Sequence, residues 1–447
     1  MTDTALPDAT LEDSAIEEEA AAAFRIRGPE QEMAELGAGV GEAADLAIEE
    51  INPLNAHLFR EDRWQDHFAR LRAEDPVHFN ELESSGRYWS ITKYDDVRAV
   101  DGDWKTFSSA NGITLGIPVE QAPEDSGIRS FISMDPPMQT AQRNTVRSVA
   151  APKNLRNVEP LIRERTAQVL DSLPEGETFD WVDTVSIELT TMMLATLFDF
   201  PFEDRRLLTR WSDVVFAIPQ PGGIVESLDQ KRSEMMECVA YFEKLWKLRL
   251  TDPGDDLVSM LVHGEATKDM PTLAHLGNLL LLIIGGNDTT RNTMSGSIYG
   301  MNKFGDQYDK LIANPDMIAT MVPEIIRWQT PLSYMRRTAN FDTEIGGKQI
   351  RKHDQLLMWY ISANRDEDVF ENANVIDIER HNADRHLSFG YGVHFCMGSR
   401  LAELQLRILW EEILERFERV ETVGDPEYTF SSFVHGYSSL PVQVKRK

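Results

Sequence analysis

One stretch restricts the fold of this 447-residue chain more than any other: Leu387 to Gly398, LSFGYGVHFCMG, which runs directly into the helical pattern RLAELQLRILWEEILERF. It carries Cys396, one of only two cysteines. A sulfur at the head of a helix favours the thiolate, because unpaired amides there carry partial positive charge and can donate hydrogen bonds to it. Gly390 and Gly392 allow a tight turn before the sulfur, and Gly398 lets a flat ligand lie close to the first helical turn. His394 sits two residues before Cys396, and Phe389 seven before. On these residues alone the sulfur is a ligand, a nucleophile paired with His394, or a buried structural thiol. A zinc site is disfavoured, since one Cys and one His with no CxxC or HxxxH elsewhere do not supply four ligands.

Cys238 and Cys396 cannot build a disulfide framework, which predicts a reducing, cytoplasmic location. The apolar fraction of 42% is enough for a substantial core. No repeat or long linker divides residues 51–447, so one large, mostly α domain with small β-sheets is expected there. The longest unbroken apolar run, Leu279 to Ile284, is far too short to span a bilayer, and the acidic start has no signal-peptide pattern. The formal charge is -29, and residues 1–50 hold fourteen Asp and Glu against Arg25 and Arg27. That composition predicts a disordered N-terminal extension over residues 1–50 with a fluctuating helix, and it argues against a nucleic-acid partner.

Apolar spacing predicts one helix over His57–Asp75, using Leu58, Phe59, Phe68 and Leu71 and stopped by Pro76. Two strands follow, VHFNEL and YWSITKY, then a helix DDVRAVDGD and an irregular loop over 104–133. Met134-Asp135-Pro136-Pro137 opens a helix bearing Arg143 and Arg147 on one face. Residues 179–216 read as two helices hinged at Phe200-Pro201, ahead of AIPQPGG, the least regular segment of the body. Cys238 reads as a small core residue.

A second organising element is the helix predicted from Asp269 to Lys303, with Pro271 in its first turn. Gly285-Gly286 in its apolar middle costs about 1 kcal/mol each relative to Ala, so a compensating reason is expected. Asp288 and Thr289 place an acid and an alcohol where the helix is weak enough to open. A Gly pair with a capping Asp is the plainer alternative. Glu324 and Arg327 form an ExxR pair, which on a helix surface is worth only about 0.2–0.5 kcal/mol. After the cysteine, Leu401, Leu404, Ile408, Leu409 and Ile413 form the buried stripe of an amphipathic helix, with Arg400 and Arg407 seven apart on one face. The closing FSSFVHGYSSLPVQV reads as a hairpin turning near Phe433 and Val434.

The cysteine loop resembles that of the cytochromes P450, F-x-x-G-x-[H/R]-x-C-x-G, with Phe389, Gly392, His394, Cys396 and Gly398 at its five defined positions. Gly285, Gly286, Asp288, Thr289 and Thr290 match the oxygen-activation pattern of the same superfamily, [A/G]-G-x-[D/E]-T-[T/S]. The resemblance implies the single-domain P450 fold and haem b (iron protoporphyrin IX), with Cys396 as the axial thiolate. It implies that Phe389, Gly398 and Gly285 lie against the cofactor and that Arg143, Arg337 and His394 bind its propionates. Gln139 stands where the family commonly has His, a weaker donor for a propionate because it is not ionised. Glu324, Arg327 and Arg380 correspond to the Glu-Arg-Arg cluster that supports the haem loop. Thr289 would hydrogen-bond dioxygen, and Asp288 would relay protons from solvent.

The runs SIELTTMMLATLFDFPFEDRR, PEIIRWQTPL and RLAELQLRILWEEIL look like those of bacterial soluble hydroxylases of terminal alkane and fatty-acid carbons. That implies a monooxygenase inserting one oxygen atom of O2 into a terminal C–H bond of a small apolar substrate, acting as a monomer. Electrons would come from NAD(P)H through ferredoxin reductase and ferredoxin, with Arg400 and Arg407 as docking candidates or as ordinary surface charge. Terminal C–H bonds are the strongest in an alkyl chain, so selectivity for them requires a narrow channel that presents only the chain end. Candidate walls are Ile113, Leu115, Phe131, Leu281, Ile284, Leu332, Met335, Phe433 and Val434; each could equally pack within the core. Two other readings compete: a haem-thiolate peroxygenase, which uses hydrogen peroxide and does not need the acid–alcohol pair, and a non-enzymatic haem sensor or carrier.

Overall fold

The computed structural model describes residues 41–116 and 129–447. Residues 1–40 of the acidic extension and 117–128 of the loop 104–133 lie outside the described residues. Ala43–Asp45 and Ile48–Glu50 form 3-10 turns, and Ala43 is buried. Arg70 donates to the carbonyls of Ala43 and, at 2.8 Å, of Leu46. Residues 43–50, within the segment that composition assigned to the extension, thus accept hydrogen bonds from Arg70 and include a buried side chain.

The helix expected over His57–Asp75 is two: Ala56–Arg60, then α1 (Trp64–Glu74). Asp62 lies between them with φ of 50°, a left-handed conformation that no helix can pass through. Leu58, Phe59, Phe68 and Leu71 are all buried, so the apolar pattern held while the break escaped it. Strands β1 (Val77–Leu82) and β2 (Gly86–Ile91) pair antiparallel, with Val77 opposite Ile91. After α2 (Tyr94–Gly102) comes the short β3 (Phe107–Ser108).

The helical part holds α3 (Met138–Val146), α4 (Glu188–Phe198), α5 (Arg205–Phe216) and α6 (Leu228–Thr251). Asp199, at φ of 46°, ends α4 one residue before the expected hinge. The longest helix, α7 (Thr272–Lys303), packs against α4, α5, α8 (Ile318–Gln329) and α9 (Ser399–Arg416). Pro271 is its N-cap rather than part of its first turn. It runs unbroken through Gly285-Gly286, so the expected opening is absent. The glycines have separate reasons instead. A Cβ at Gly286 would lie 2.8 Å from Leu194 Cδ2 of α4, whereas one at Gly285 would meet nothing within 4 Å.

Strands β4 (Tyr334–Ala339) and β5 (Gln355–Trp359) complete a five-stranded sheet of order β1-β2-β5-β4-β3, in which only β2 and β5 run parallel. At the C-terminus, Glu427–Tyr428 pairs with Tyr437–Ser439, and Val434 bridges Leu332 across the gap between tail and sheet. The architecture is mostly α with small sheets, as expected. Among the described residues no helix is long and apolar enough to cross a membrane.

Candidate active site

The cysteine loop folds as its glycines require. Gly390 and Gly392 take φ of 68° and 69°, and a Cβ on Gly392 would lie 2.9 Å from the Asp101 carbonyl. The amide of Cys396 donates to the Phe389 carbonyl at 2.7 Å, closing the turn. The amides of Gly398 and Ser399, at the start of α9, donate to the sulfur. Burial pushes the Cys396 thiol up, while those amides and the Arg143 guanidinium pull it back toward the thiolate. Protein surrounds the residue, yet Cys396 is only half-buried, so part of it borders space that no protein atom fills.

Two buried hubs hold the loop in place. Asp101, at the C-terminal end of α2, accepts from the Tyr391 amide at 2.8 Å, Tyr360 Oη at 2.8 Å and Arg337 Nη2 at 2.6 Å. Asn364 accepts from the Leu387 amide at 2.7 Å and donates to Ser388 Oγ at 2.9 Å. Behind Asn364 stands the ExxR pair. Glu324 and Arg327 are fully buried and joined at 2.7 and 2.8 Å, and Arg380 Nε meets the same carboxylate at 3.0 Å. Arg327 then donates to the carbonyls of Asn364 (2.7 Å), Ala373 (2.8 Å) and Val375 (3.0 Å). The cluster thus braces the backbone that carries Asn364, and Asn364 braces the loop.

The expected propionate residues converge on His394. Burial first, then the positive charges of Arg337 and Arg143, lower its pKa to about 3, so the ring is neutral. Its Nε2 lies 3.1 Å from Ser109 Oγ. Arg143 donates to the Phe395 carbonyl at 2.5 Å. Arg337 uses two N–H groups, on Asp101 and on the Arg336 carbonyl at 2.8 Å, which leaves three free for an acid. Gln139 is engaged otherwise: buried, it donates through Nε2 to the Val393 carbonyl at 3.0 Å and so ties α3 to the cysteine loop.

On α7, Asp288 is 2% exposed and Thr289 half-buried. Thr289 Oγ1 donates to the Gly285 carbonyl at 2.9 Å, filling one of its lone pairs within the helix. Asp288 accepts from Ser212 Oγ at 2.8 Å and Asn287 Nδ2 at 3.2 Å, and pairs with Arg291 at 3.0 Å. Arg291 also pairs with Asp213 at 2.6 Å, whose side chain is 23% exposed and gives the group an outlet to water. Burial raises the Asp288 pKa to about 6, with Asp213 adding to the rise and Arg291 opposing it.

The candidate wall residues fall into two apolar clusters. Phe131, Leu281, Ile284 and Met397 of the cysteine loop belong to one, so this part of α7 and the loop share a boundary. Leu115, Leu332, Met335, Phe433, Val434 and Phe216 belong to the other. Ile113 is not in either cluster; its carbonyl accepts from the Arg336 amide at 2.7 Å. Arg336 is buried and donates to Gln355 Oε1 at 2.5 Å and to the Gly112 carbonyl at 3.2 Å. Gln355 in turn donates to the Gly116 carbonyl at 3.0 Å, so residues 112–116 are held at both ends. Of the docking candidates, Arg407 pairs with Glu159 at 2.9 Å and Glu411 at 3.6 Å, whereas Arg400 is exposed.

Sequence reasoning missed Asp101, Asn364, Arg336, Gln355 and the group Ser212, Asp213 and Arg291. Each acts across more than 20 residues of chain, beyond the reach of a local pattern. For Arg291 alone a local signal existed, since it stands three residues after Asp288, within ion-pair reach on a helix.

The cytochrome P450 family model matches residues 243–445. Linalool 8-monooxygenase of Pseudomonas putida is 33% identical over 403 residues, spanning 88% of this chain and 98% of that protein. Methyl-branched lipid omega-hydroxylase of Mycobacterium tuberculosis is 30% identical, spanning 89% and 95%. Among solved structures, cytochrome P450-153 from Novosphingobium aromaticivorans superposes with a TM-score of 0.82 at 45% identity, covering 88% of this chain and 99% of that one. A family that carries haem on an axial cysteine thiolate requires a sulfur braced at a helix start and a set of cationic donors for two propionates. Cys396 stands just before the start of α9 with the Arg143 guanidinium near it, and with full-length relatives above 30% identity the chain belongs to the cytochrome P450 family of monooxygenases.

Proposed function

We propose that Cys396 is the axial thiolate of haem b and that the protein hydroxylates the terminal methyl group of medium-chain alkanes or fatty acids. The observation that carries the first part is the donor set around unfilled space. A half-open sulfur receives two amides, Arg143, Arg337 and His394 gather beside it, and Gly285 is exposed in the middle of a buried helix. Haem supplies the reductive activation of dioxygen and the insertion of one oxygen atom into a C–H bond. The chain's own residues do the rest. Arg337, with three uncommitted N–H groups, and Arg143 bind and neutralise the propionates, and Gly398 and Gly285 keep side chains out of the cofactor's space.

Thr289 holds a hydroxyl proton on the inner face of α7, and Asp288 resupplies it from the Arg291–Asp213 outlet. Asp288 can give up a proton only in its protonated form, which predominates below its pKa of about 6. Where proton delivery limits turnover, kcat is therefore expected to fall as pH rises through about 6. Asp288→Asn is expected to lower kcat by about 10²-fold and to remove that inflection. A pH–rate profile of the variant that keeps the inflection contradicts the relay.

Terminal selectivity is supported by the names of relatives, one of them an omega-hydroxylase, and by the apolar side chains of Leu281, Ile284, Leu332, Met335, Phe216 and Phe433. Arg336 and Gln355 fix the backbone that carries Ile113 and Leu115, two of the proposed walls. Electrons come from a ferredoxin and its NAD(P)H-dependent reductase in the cytoplasm; exposed Phe395 and Arg400 beside the sulfur offer that donor a landing surface. The test is product analysis of the haem-loaded chain with ferredoxin, reductase and NADH, over alkanes and fatty acids of graded length. Primary alcohols are expected as the main product. Subterminal alcohols refute terminal selectivity, and equal turnover with hydrogen peroxide alone favours a peroxygenase.

A further inference from the structure

A cavity of about 400 Å³ lies between the start of α1 and the C-terminal ends of α7 and α8, and none of its lining residues belongs to the site described above. Its floor includes Arg365, 4% exposed, whose guanidinium stands 4.5 Å over the Trp64 ring. Arg365 donates to the carbonyls of Ile361 at 3.2 Å and Trp328 at 2.6 Å, so three of its five N–H groups have no partner in those bonds. Among the described residues it forms no ion pair. Burial, and then the charges of Arg327 and Arg72, lower its pKa to about 9, still well above neutral, so it is a cation. A second cation, Lys303, is exposed at the rim over the Tyr299 ring and also lacks an acid partner among the described residues.

One carboxylate lines the cavity, Asp62, and it is already occupied by Gln65 Nε2 at 2.6 Å and Tyr428 Oη at 3.2 Å. His435 donates through Nδ1 to the Gln329 carbonyl at 2.5 Å, and burial followed by the charge of Arg365 holds its pKa at about 4, so it is neutral. The cavity therefore has an excess of one positive charge. The remaining walls are the amides of Gln65 and Asn374 and the rings of Tyr299, Trp328, Tyr428 and Tyr437, which are flat and apolar. The volume is in the range of about 300–1,000 Å³ typical of small-molecule sites.

We propose that this cavity binds a small organic monocarboxylate, its carboxylate met by Arg365 and Lys303 and its apolar body seated among the tyrosine and tryptophan rings. Asp62 offsets part of the Arg365 charge, a neutral ligand would leave the excess positive charge unmet, and an inorganic dianion would leave the aromatic walls unused. Neither the propionate residues nor the acid–alcohol pair takes part.

The test is a ¹⁹F NMR titration of 4-fluorobenzoate against the haem-loaded full-length chain, with 4-fluorobenzyl alcohol as the neutral control. Saturable binding of the acid and none of the alcohol is expected, unaffected by n-octane, which would occupy only the substrate channel. Lys303→Glu on the surface is expected to weaken binding about 10-fold while leaving hydroxylation unchanged. Equal binding of acid and alcohol, displacement by n-octane, no binding at millimolar acid, or unchanged affinity in Lys303→Glu each overturns the proposal.

Discussion

Cys396→Ser is expected to fold and to lose monooxygenase turnover by at least about 10³-fold, equivalent to about 4 kcal/mol of barrier. The two side chains are close in volume, and a serine oxygen can accept the Gly398 and Ser399 amides that now donate to the sulfur. What serine cannot do is ionise near neutral pH. A thiol can, with an unperturbed pKa of about 8.5 and three groups placed to stabilise its anion. The expected pattern is a near-normal unfolding curve together with lost turnover under NADH, ferredoxin and reductase. Retained turnover would mean that electron donation from this side chain is not what drives the reaction.

The second large effect concerns stability. Glu324→Ala removes the one carboxylate that faces both Arg327 and Arg380, leaving two buried guanidinium groups uncompensated. Breaking a buried pair from one side costs about 3–5 kcal/mol, a large part of the 5–15 kcal/mol that holds a typical protein folded. Arg327 also fixes the carbonyls of Asn364, Ala373 and Val375, so the loss should spread through Asn364 to Leu387 and Ser388. Urea unfolding should show the drop, and haem content of the purified variant should fall with it. Full haem content with unchanged stability would remove this cluster from any role in bracing the loop. Glu324→Gln is expected to fare little better, because the shape is kept but the charge is not.

The residues that were legible in the sequence act within a few positions of one another. Phe389, Gly392, His394, Cys396 and Gly398 fold into a single turn whose needs are local: positive φ, a helix start and a short reach from amide to sulfur. The same holds for the apolar stripes of α1 and α9. Pattern reading failed where a local feature had a distant cause. The Gly285-Gly286 pair suggested an opened helix, yet Gly286 is there because Leu194, about 90 residues earlier, packs against it. Asp101 has no signal of its own in DDVRAVDGD, yet it is 1% exposed and joins Arg337, Tyr360 and Tyr391. Gln139 reads in the sequence only as a weaker propionate donor; that its amide also ties α3 to the cysteine loop was not legible there. The break at Asp62 was invisible for another reason: a single left-handed residue leaves the spacing of buried side chains nearly intact.

The most direct test of the account is the absorption spectrum of the purified, haem-loaded chain after reduction and exposure to carbon monoxide. Ligation by Cys396 as an anion predicts the strongly red-shifted Soret band of thiolate-bound haem, lost in Cys396→Ser. A Soret band at the position of histidine-ligated haem in the unmodified protein would contradict it.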